Sequence, residues 1–277
     1  MNLMRSPLIV LPLVLLGCRS SSRSTPPRGP NVVTITATDY AFSAPDTIPA
    51  GLTTFRMPNQ GREPHQAVIA GVNGRSFEEI EAAMLKEGPI PDWLTFPAGP
   101  GVVIGGDSAN ATGNVVPGNY LIMCFIPSPD GKLHVQKGMF RRLLVTAAPQ
   151  GTPAAAEPKA DLTVTLSDYA FALSAPLTAG THTLRVENAG PQLHEITFEQ
   201  LAPGKTLADW QRWMAAGMRG EPVTKPAGGF IGPDKGKTGW VTVTLAPGNY
   251  LLTCHVPDAK DGKPHFMYGM VQEVAVK

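Results

Sequence analysis

The sequence predicts an all-β protein built as two similar domains in tandem. Three observations predict it. Gly 29 and Pro 28 make up about a fifth of the 277 residues, a composition of many turns and short strands. Apolar residues alternate with threonine through Leu162-Thr163-Val164-Thr165-Leu166, and again at Val241, Val243 and Leu245, the period of a half-buried strand. The chain also repeats itself. Tyr40 matches Tyr169 and His65 matches His194, both 129 residues apart, and Met139 matches Met270, 131 apart. A period this long means two domains rather than a solenoid.

The first residues read as an export signal. Arg5 supplies the positive start, and Leu8 to Leu16 is apolar apart from Pro12, too short to span a bilayer. Leu15-Leu16-Gly17-Cys18 resembles the lipobox of bacterial lipoproteins. That resemblance implies a signal peptide over 1–18, a lipidated Cys18 and a membrane-anchored protein in the bacterial cell envelope, facing the periplasm or the cell exterior. An ordinary signal peptide that contains a cysteine is the plainer alternative. Arg19 follows the cysteine, so the Asp associated with inner-membrane retention is missing, and the choice of membrane stays open. Residues 19–31, rich in Ser, Pro and Arg, read as a disordered tether. With Arg5 removed, acidic and basic residues balance at 22 each. A neutral chain without a basic run gives no reason to expect nucleic acid.

The first domain is expected over 32–146. It starts with strands at Val32–Thr36 and Thr53–Met57, with the motif Asp39-Tyr40-Ala41-Phe42 between them. Ser76 to Glu87 reads as a helix opened by the capping box Ser76-Phe77-Glu78-Glu79. Pro117-Gly118-Asn119 is a turn, and in the strand after it Tyr120, Ile122 and Cys124 share a face. A Pro/Ala linker at 147–160 leads to the second domain, 161–277, where the pattern restarts. Asp168-Tyr169-Ala170-Phe171 follows its first strand, Thr183–Glu187 is the next strand, and Thr206–Ala216 is a helix stopped by Gly217. Met84, Trp210, Trp213 and Met214 are expected to pack these helices onto the sheets. Gly236-Lys237-Thr238 tempts a phosphate-loop reading, but the motif's first glycine would fall at Ile231 and a strand follows.

The chemistry lies in two matching stretches, Cys124 to Met139 and Cys254 to Met270. In each, a His stands five residues before a Met and a Gly immediately precedes that Met: His134 and Met139, His265 and Met270. His65 and His194 lie upstream. Two imidazoles, one thiolate and one weak axial thioether form the donor set of a blue-copper site, and the sequence offers it twice. The alternative for each residue alone is a structural His, an inert buried Cys and a core Met. Zinc at Cys and His is chemically possible but leaves the Met without a role. A Cys124–Cys254 disulfide is not expected, because matching core positions of separate domains rarely come within bridging distance. His182 has no counterpart in the first repeat and is expected at the surface. His255 should point away from Cys254 by strand alternation.

Both repeats resemble the cupredoxins, the plastocyanin-like blue copper proteins. The resemblance rests on Asn59-Gln60-Gly61-Arg62-Glu63-Pro64-His65 and Asn188-Ala189-Gly190-Pro191-Gln192-Leu193-His194, each with a Cys, His and Met on one later loop. It implies two Greek-key β-sandwiches, each with a short helical insertion. It also implies two type 1 copper sites, with ligands His65, Cys124, His134 and Met139 in one and His194, Cys254, His265 and Met270 in the other. Asn59 and Asn188 would be outer residues bonding near the ligand loop. The steps of ten and eleven residues from Cys to His are longer than in plastocyanin and similar to those of copper nitrite reductases. The dinuclear variant of the fold needs two cysteines on one loop, and each loop here has one.

The implied function is electron transfer, with envelope redox proteins as partners docking over an apolar rim near His134 or His265, and with no small-molecule substrate. A multicopper oxidase or nitrite reductase would need further clustered histidines. The chain has six His, four of them already in the donor sets, and no His-x-His pair, so an enzyme is not expected. A copper-storage lipoprotein or a metal-free binding module of the same fold is the remaining alternative.

Overall fold

The computed structural model describes residues 28–277 apart from Asn73 and Glu87. The expected signal peptide over 1–18, with Cys18, lies outside the described residues, as does most of the expected tether. Among the described residues no helix is long and apolar enough to cross a membrane.

The protein is all-β, two sandwiches that share one long sheet. That sheet has seven strands in the order Asn31–Thr34, Gly51–Pro58, Ser108–Val115, Thr238–Leu245, Gly180–Asn188, Leu162–Ser167 and Ala170–Leu173. The first three come from the first repeat and the last four from the second. The join is made by Trp240 paired with Thr112, and by the Asn110 side chain, which donates to Thr242 O at 2.9 Å and accepts from Thr242 N at 3.0 Å. Each repeat closes its sandwich with its own second sheet. In the first repeat the order is Thr47–Pro49, Phe140–Thr146, Gly118–Met123 and Val68–Val72. In the second it is Val271–Val276, Gly248–Thr253, Glu195–Leu201 and Thr224–Ile231, and the edge is completed by Gly99–Pro100 of the first repeat. The repeats are therefore fixed against each other by backbone pairing, although the linker alone sets no orientation. Gly101 N donates to Gly229 O and Gly228 N to Val102 O across this seam.

Strand alternation divides the side chains as the sequence suggests. Tyr120, Ile122 and Cys124 face the main core with Tyr250, Leu252 and Cys254. Leu121 and Met123 face the other way, toward the helix Phe77–Met84, with Ile80 fully buried between. Leu251 likewise meets Trp210 of the helix Leu207–Ala215, and Trp213 and Met214 pack beside it. Both helices open on full capping boxes, at Ser76 and Thr206. The second fills the span expected from sequence, with Thr206 and Ala216 as its caps, whereas the first ends earlier, at Met84 with Leu85 as its C-cap.

Two boundaries differ from the sequence reading. The run expected as one strand at Val32–Thr36 divides at Ile35 into Asn31–Thr34 and Thr36–Thr38, and the second piece pairs with Ala41–Ser43. The tether does not extend to residue 31. Asn31 is already in a strand, its side chain accepts from Arg28, and Arg28 O accepts from Ala156 N of the linker at 2.8 Å.

Candidate metal centres

Each centre is assembled from two pieces of backbone. The first His is placed by a loop locked to a neighbouring segment. His65 N donates to Val103 O and Val103 N to His65 O, both at 3.0 Å. Asn59 holds the loop's shape: its Nδ2 donates to Glu63 O at 2.9 Å and Val103 O at 3.0 Å, and its Oδ1 accepts from Gly61 N at 2.9 Å. Asn188 repeats this with Gln192 O, Pro233 O and Gly190 N. Both asparagines therefore brace the loop that carries the first His, and their bonds do not reach the Cys-to-Met loop.

The second piece is the Cys-to-Met loop. Its extra length is a small turned-back excursion: Pro127 bridges Leu133 and Pro257 bridges Pro264. Gly131 and Gly262 take left-handed φ of 82° and 75° at the tips. The chain then winds into a single 3-10 turn, His134–Lys137 or His265–Tyr268. Gly138 and Gly269 end it at φ 95° and 99°, a region where a side chain would be strained. Met139 N and Met270 N then donate back to the carbonyls of His134 and His265. This turn is why His and Met stand five residues apart with glycine before the Met. Cys124 N donates to Met139 O and Cys254 N to Met270 O, so the Cys and Met backbones are tied together. Both methionines are fully buried.

The donor atoms converge. His65 Nδ1 and His134 Nδ1 are 3.0 Å apart, and Cys124 Sγ is 3.9 Å from the first and 3.4 Å from the second. In the second repeat His194 Nδ1 and His265 Nδ1 are 3.1 Å apart, with Cys254 Sγ 3.3 Å from the latter. All six residues are buried, and the two groups are the His/Cys/Asp/Glu clusters of metal-binding geometry among the described residues. A triangle with sides of 3.0, 3.4 and 3.9 Å has its centre about 2 Å from each corner, the length of a bond from a transition-metal ion to imidazole. Two imidazoles and one thiolate in a trigonal set fit copper. Cys124 and Cys254 are free thiols, as their matching positions predicted.

Burial dictates the charge state without metal. It pushes the Cys124 thiol up to about 11 and the Cys254 thiol well above its ordinary value. It holds His65 and His194 below the usual imidazole range and takes His265 down to about 4. A proton-bearing sulfur is what a cation would meet on entry at either site.

The surface over the two sites differs between the repeats. Tyr40 lies edge-on to His134 at 5.3 Å, with Glu63 and Lys137 beside it, so the cover there is polar. Tyr169 covers His265 in the same way, at 5.3 Å. Next to it Met267 is 60% exposed and Tyr268 39% exposed. His255 points away from Cys254 and meets Glu199 and Thr253. His182 bonds Thr178 at the half-exposed end of its strand.

No family model matches this chain, and no curated protein does. Among solved structures, the dithionite-reduced auracyanin of Roseiflexus castenholzii aligns at 19% identity over 43% of this chain and 98% of its own, with a TM-score of 0.31. Auracyanin A of Chloroflexus aurantiacus, described as a blue copper protein, aligns at 21% over 43% and 100%, with a TM-score of 0.30. A copper nitrite reductase from Nitrosomonas europaea aligns at 12% over 90% and 94%, with a TM-score of 0.26. Such low scores add no weight to the ligand assignment, which rests on the donor triangles. By topology and donor geometry the chain is a pair of cupredoxin-like sandwiches sharing a sheet, each with a buried donor set that fits copper.

Proposed function

We propose that this is an envelope electron carrier with two mononuclear type 1 copper sites, anchored through a lipid on Cys18 and serving other redox proteins of the same compartment. The observation that carries the reading is the pair of buried His-Cys-His triangles, built alike in both repeats. His65, Cys124 and His134 would hold one ion, with Met139 as the axial donor. His194, Cys254, His265 and Met270 would hold the other. Copper in such a set supplies a one-electron couple.

The chain's own part is to keep the donors still and dry. The Asn59 and Asn188 bonds fix the first His, the 3-10 turn fixes the second, and the core encloses the sulfur. A set that moves little between oxidation states suits electron transfer, and full burial of both rings leaves no obvious berth for a substrate. The two remaining histidines are already engaged, His182 with Thr178 and His255 with Glu199 and Thr253. This supports a carrier over an oxidase or reductase.

Voltammetry of the copper-loaded protein tests this reading. The expected result is one reversible electron per copper, with no consumption of nitrite or dioxygen beyond free copper. Copper that cannot be cycled would point to storage instead, and steady turnover of either substrate would make the protein an enzyme.

A further inference from the structure

The Asp-Tyr-Ala-Phe motif occurs once in each repeat and belongs to none of the donor sets. Its place in the structure gives it a role. Asp39 Oδ1 lies 3.2 Å from His65 Nε2, the nitrogen that faces away from the triangle. Asp168 Oδ1 lies 2.7 Å from His194 Nε2. Gly61 and Gly190 close over these contacts, and a Cβ there would stand 2.7 Å from His65 Nε2 or 2.5 Å from His194 Nε2. The tyrosine of the motif acts on the other imidazole. Tyr40 OH donates to Glu63 Oε1 at 2.6 Å, and Glu63 Oε2 lies 2.8 Å from His134 Nε2. Tyr169 OH donates to Asp258 Oδ2 at 2.5 Å, and the same oxygen is 3.7 Å from His265 Nε2. That Nε2 is buried without a hydrogen bond, and Asp258 is the carboxylate facing it. Tyr40 takes φ 64° to reach its position, a region unfavourable to an aromatic residue and met where the site imposes it.

The two carboxylates facing the second imidazole come from different loops. Glu63 stands on the first-His loop, where the second repeat has Gln192. Asp258 stands on the Cys-to-Met loop, where the first repeat has Ser128. Ser128 Oγ lies 3.4 Å from Tyr40 OH, and Gln192 Nε2 donates to Asp258 Oδ2 at 3.1 Å. The acid and its neutral neighbour have exchanged places, yet each tyrosine still holds one carboxylate beside the second His.

We propose that the Asp-Tyr pair of each motif, with the carboxylate the tyrosine holds, is a positioning device for the metal site. Asp39 and Asp168 orient the first imidazole, and the Tyr40–Glu63 and Tyr169–Asp258 pairs orient the second. Both place negative charge on the outer side of the rings, which favours the more positive oxidation state of a bound ion. The inference rests on the copper reading above. Carboxylates on the outer nitrogen of ligating histidines generally govern affinity by 10–100-fold.

The test uses the copper-loaded protein in a Cys254→Ser background, where the first site reports alone. Glu63→Gln is expected to weaken copper binding by about 10–100-fold and to raise the reduction potential. Glu63→Gln with Ser128→Asp, which copies the arrangement of the second repeat, is expected to restore both. The mirror set, Asp258→Ser with and without Gln192→Glu in a Cys124→Ser background, repeats the test should a first-repeat variant fail to fold. Single variants with the affinity and potential of their background, or double variants no better than the singles, would overturn the proposal. A parent that takes up no copper would instead sink the copper reading itself.

Discussion

Replacing either core cysteine by serine is expected to remove one site and half of the intense visible absorption of the copper-loaded protein. The thiolate is the donor that gives such a site its colour and its softness, and an alcohol at the same position supplies neither. The two losses should be independent, because each sulfur meets only the imidazoles of its own repeat. Cys124→Ser should leave the second site at full strength, and Cys254→Ser the first. The fold should survive both changes. Serine is smaller than cysteine, and each sulfur lies near backbone or ring nitrogens able to bond a hydroxyl, such as Glu195 N at 3.4 Å from Cys254 Sγ. The cost to stability should stay in the ordinary range of about 0.5–3 kcal/mol for a single substitution. Far-UV circular dichroism with copper analysis of each variant checks the prediction. A variant that keeps all the colour of the parent would show that the replaced sulfur is not a ligand.

The second large effect is expected from pH. Copper binding must expel the thiol proton, and burial holds that proton on Cys124 with a pKa of about 11. Between pH 6 and 8 the free protein therefore carries a protonated sulfur at both sites. The imidazoles work the other way. At the second site His265 is held at about 4 and His194 is lowered from its ordinary value, so from pH 7 to 8 these rings release little. At the second site, read alone in a Cys124→Ser background, close to one proton should leave per copper bound, and apparent affinity should rise about tenfold from pH 7 to pH 8. Below about pH 4 the second site should lose affinity more steeply, as His265 begins to take up a proton. Competition against a chelator of known pH dependence measures the slope. A flat profile from pH 7 to 8 would mean that no thiol proton is displaced.

Much of this was legible because both the fold and the donor sets obey short-range rules. Alternation put Cys124 on the face of Tyr120 and Ile122, and Cys254 on the face of Tyr250 and Leu252. The capping boxes at Ser76 and Thr206 marked both helices, and duplication made the donor quartets visible by their matched spacing. The 3-10 turn that brings His134 toward Met139 was not inferred, although Lys137-Gly138-Met139 and Tyr268-Gly269-Met270 carried its signal in the glycine. The shared sheet was beyond local reading, since Trp240 meets Thr112 across more than a hundred residues and no motif announces an edge. The outer carboxylates were missed for a related reason. Asp39 was conspicuous in its motif, but its role depends on the 59–65 loop folding back to donate Arg62 N and Glu63 N to it at 2.8 and 3.1 Å. The exchange of Glu63 and Ser128 for Gln192 and Asp258 between repeats was the signal that would have exposed the second pair.

The most direct test of the central claim is a copper titration of residues 19–277, without Cys18, followed by visible absorption and electron paramagnetic resonance. Two buried donor sets of like geometry should yield an intense thiolate-to-copper band that saturates near two equivalents, with spectra of mononuclear type 1 centres. A folded protein that takes up no copper, or binds it without that band, would contradict the assignment of these clusters as blue-copper sites.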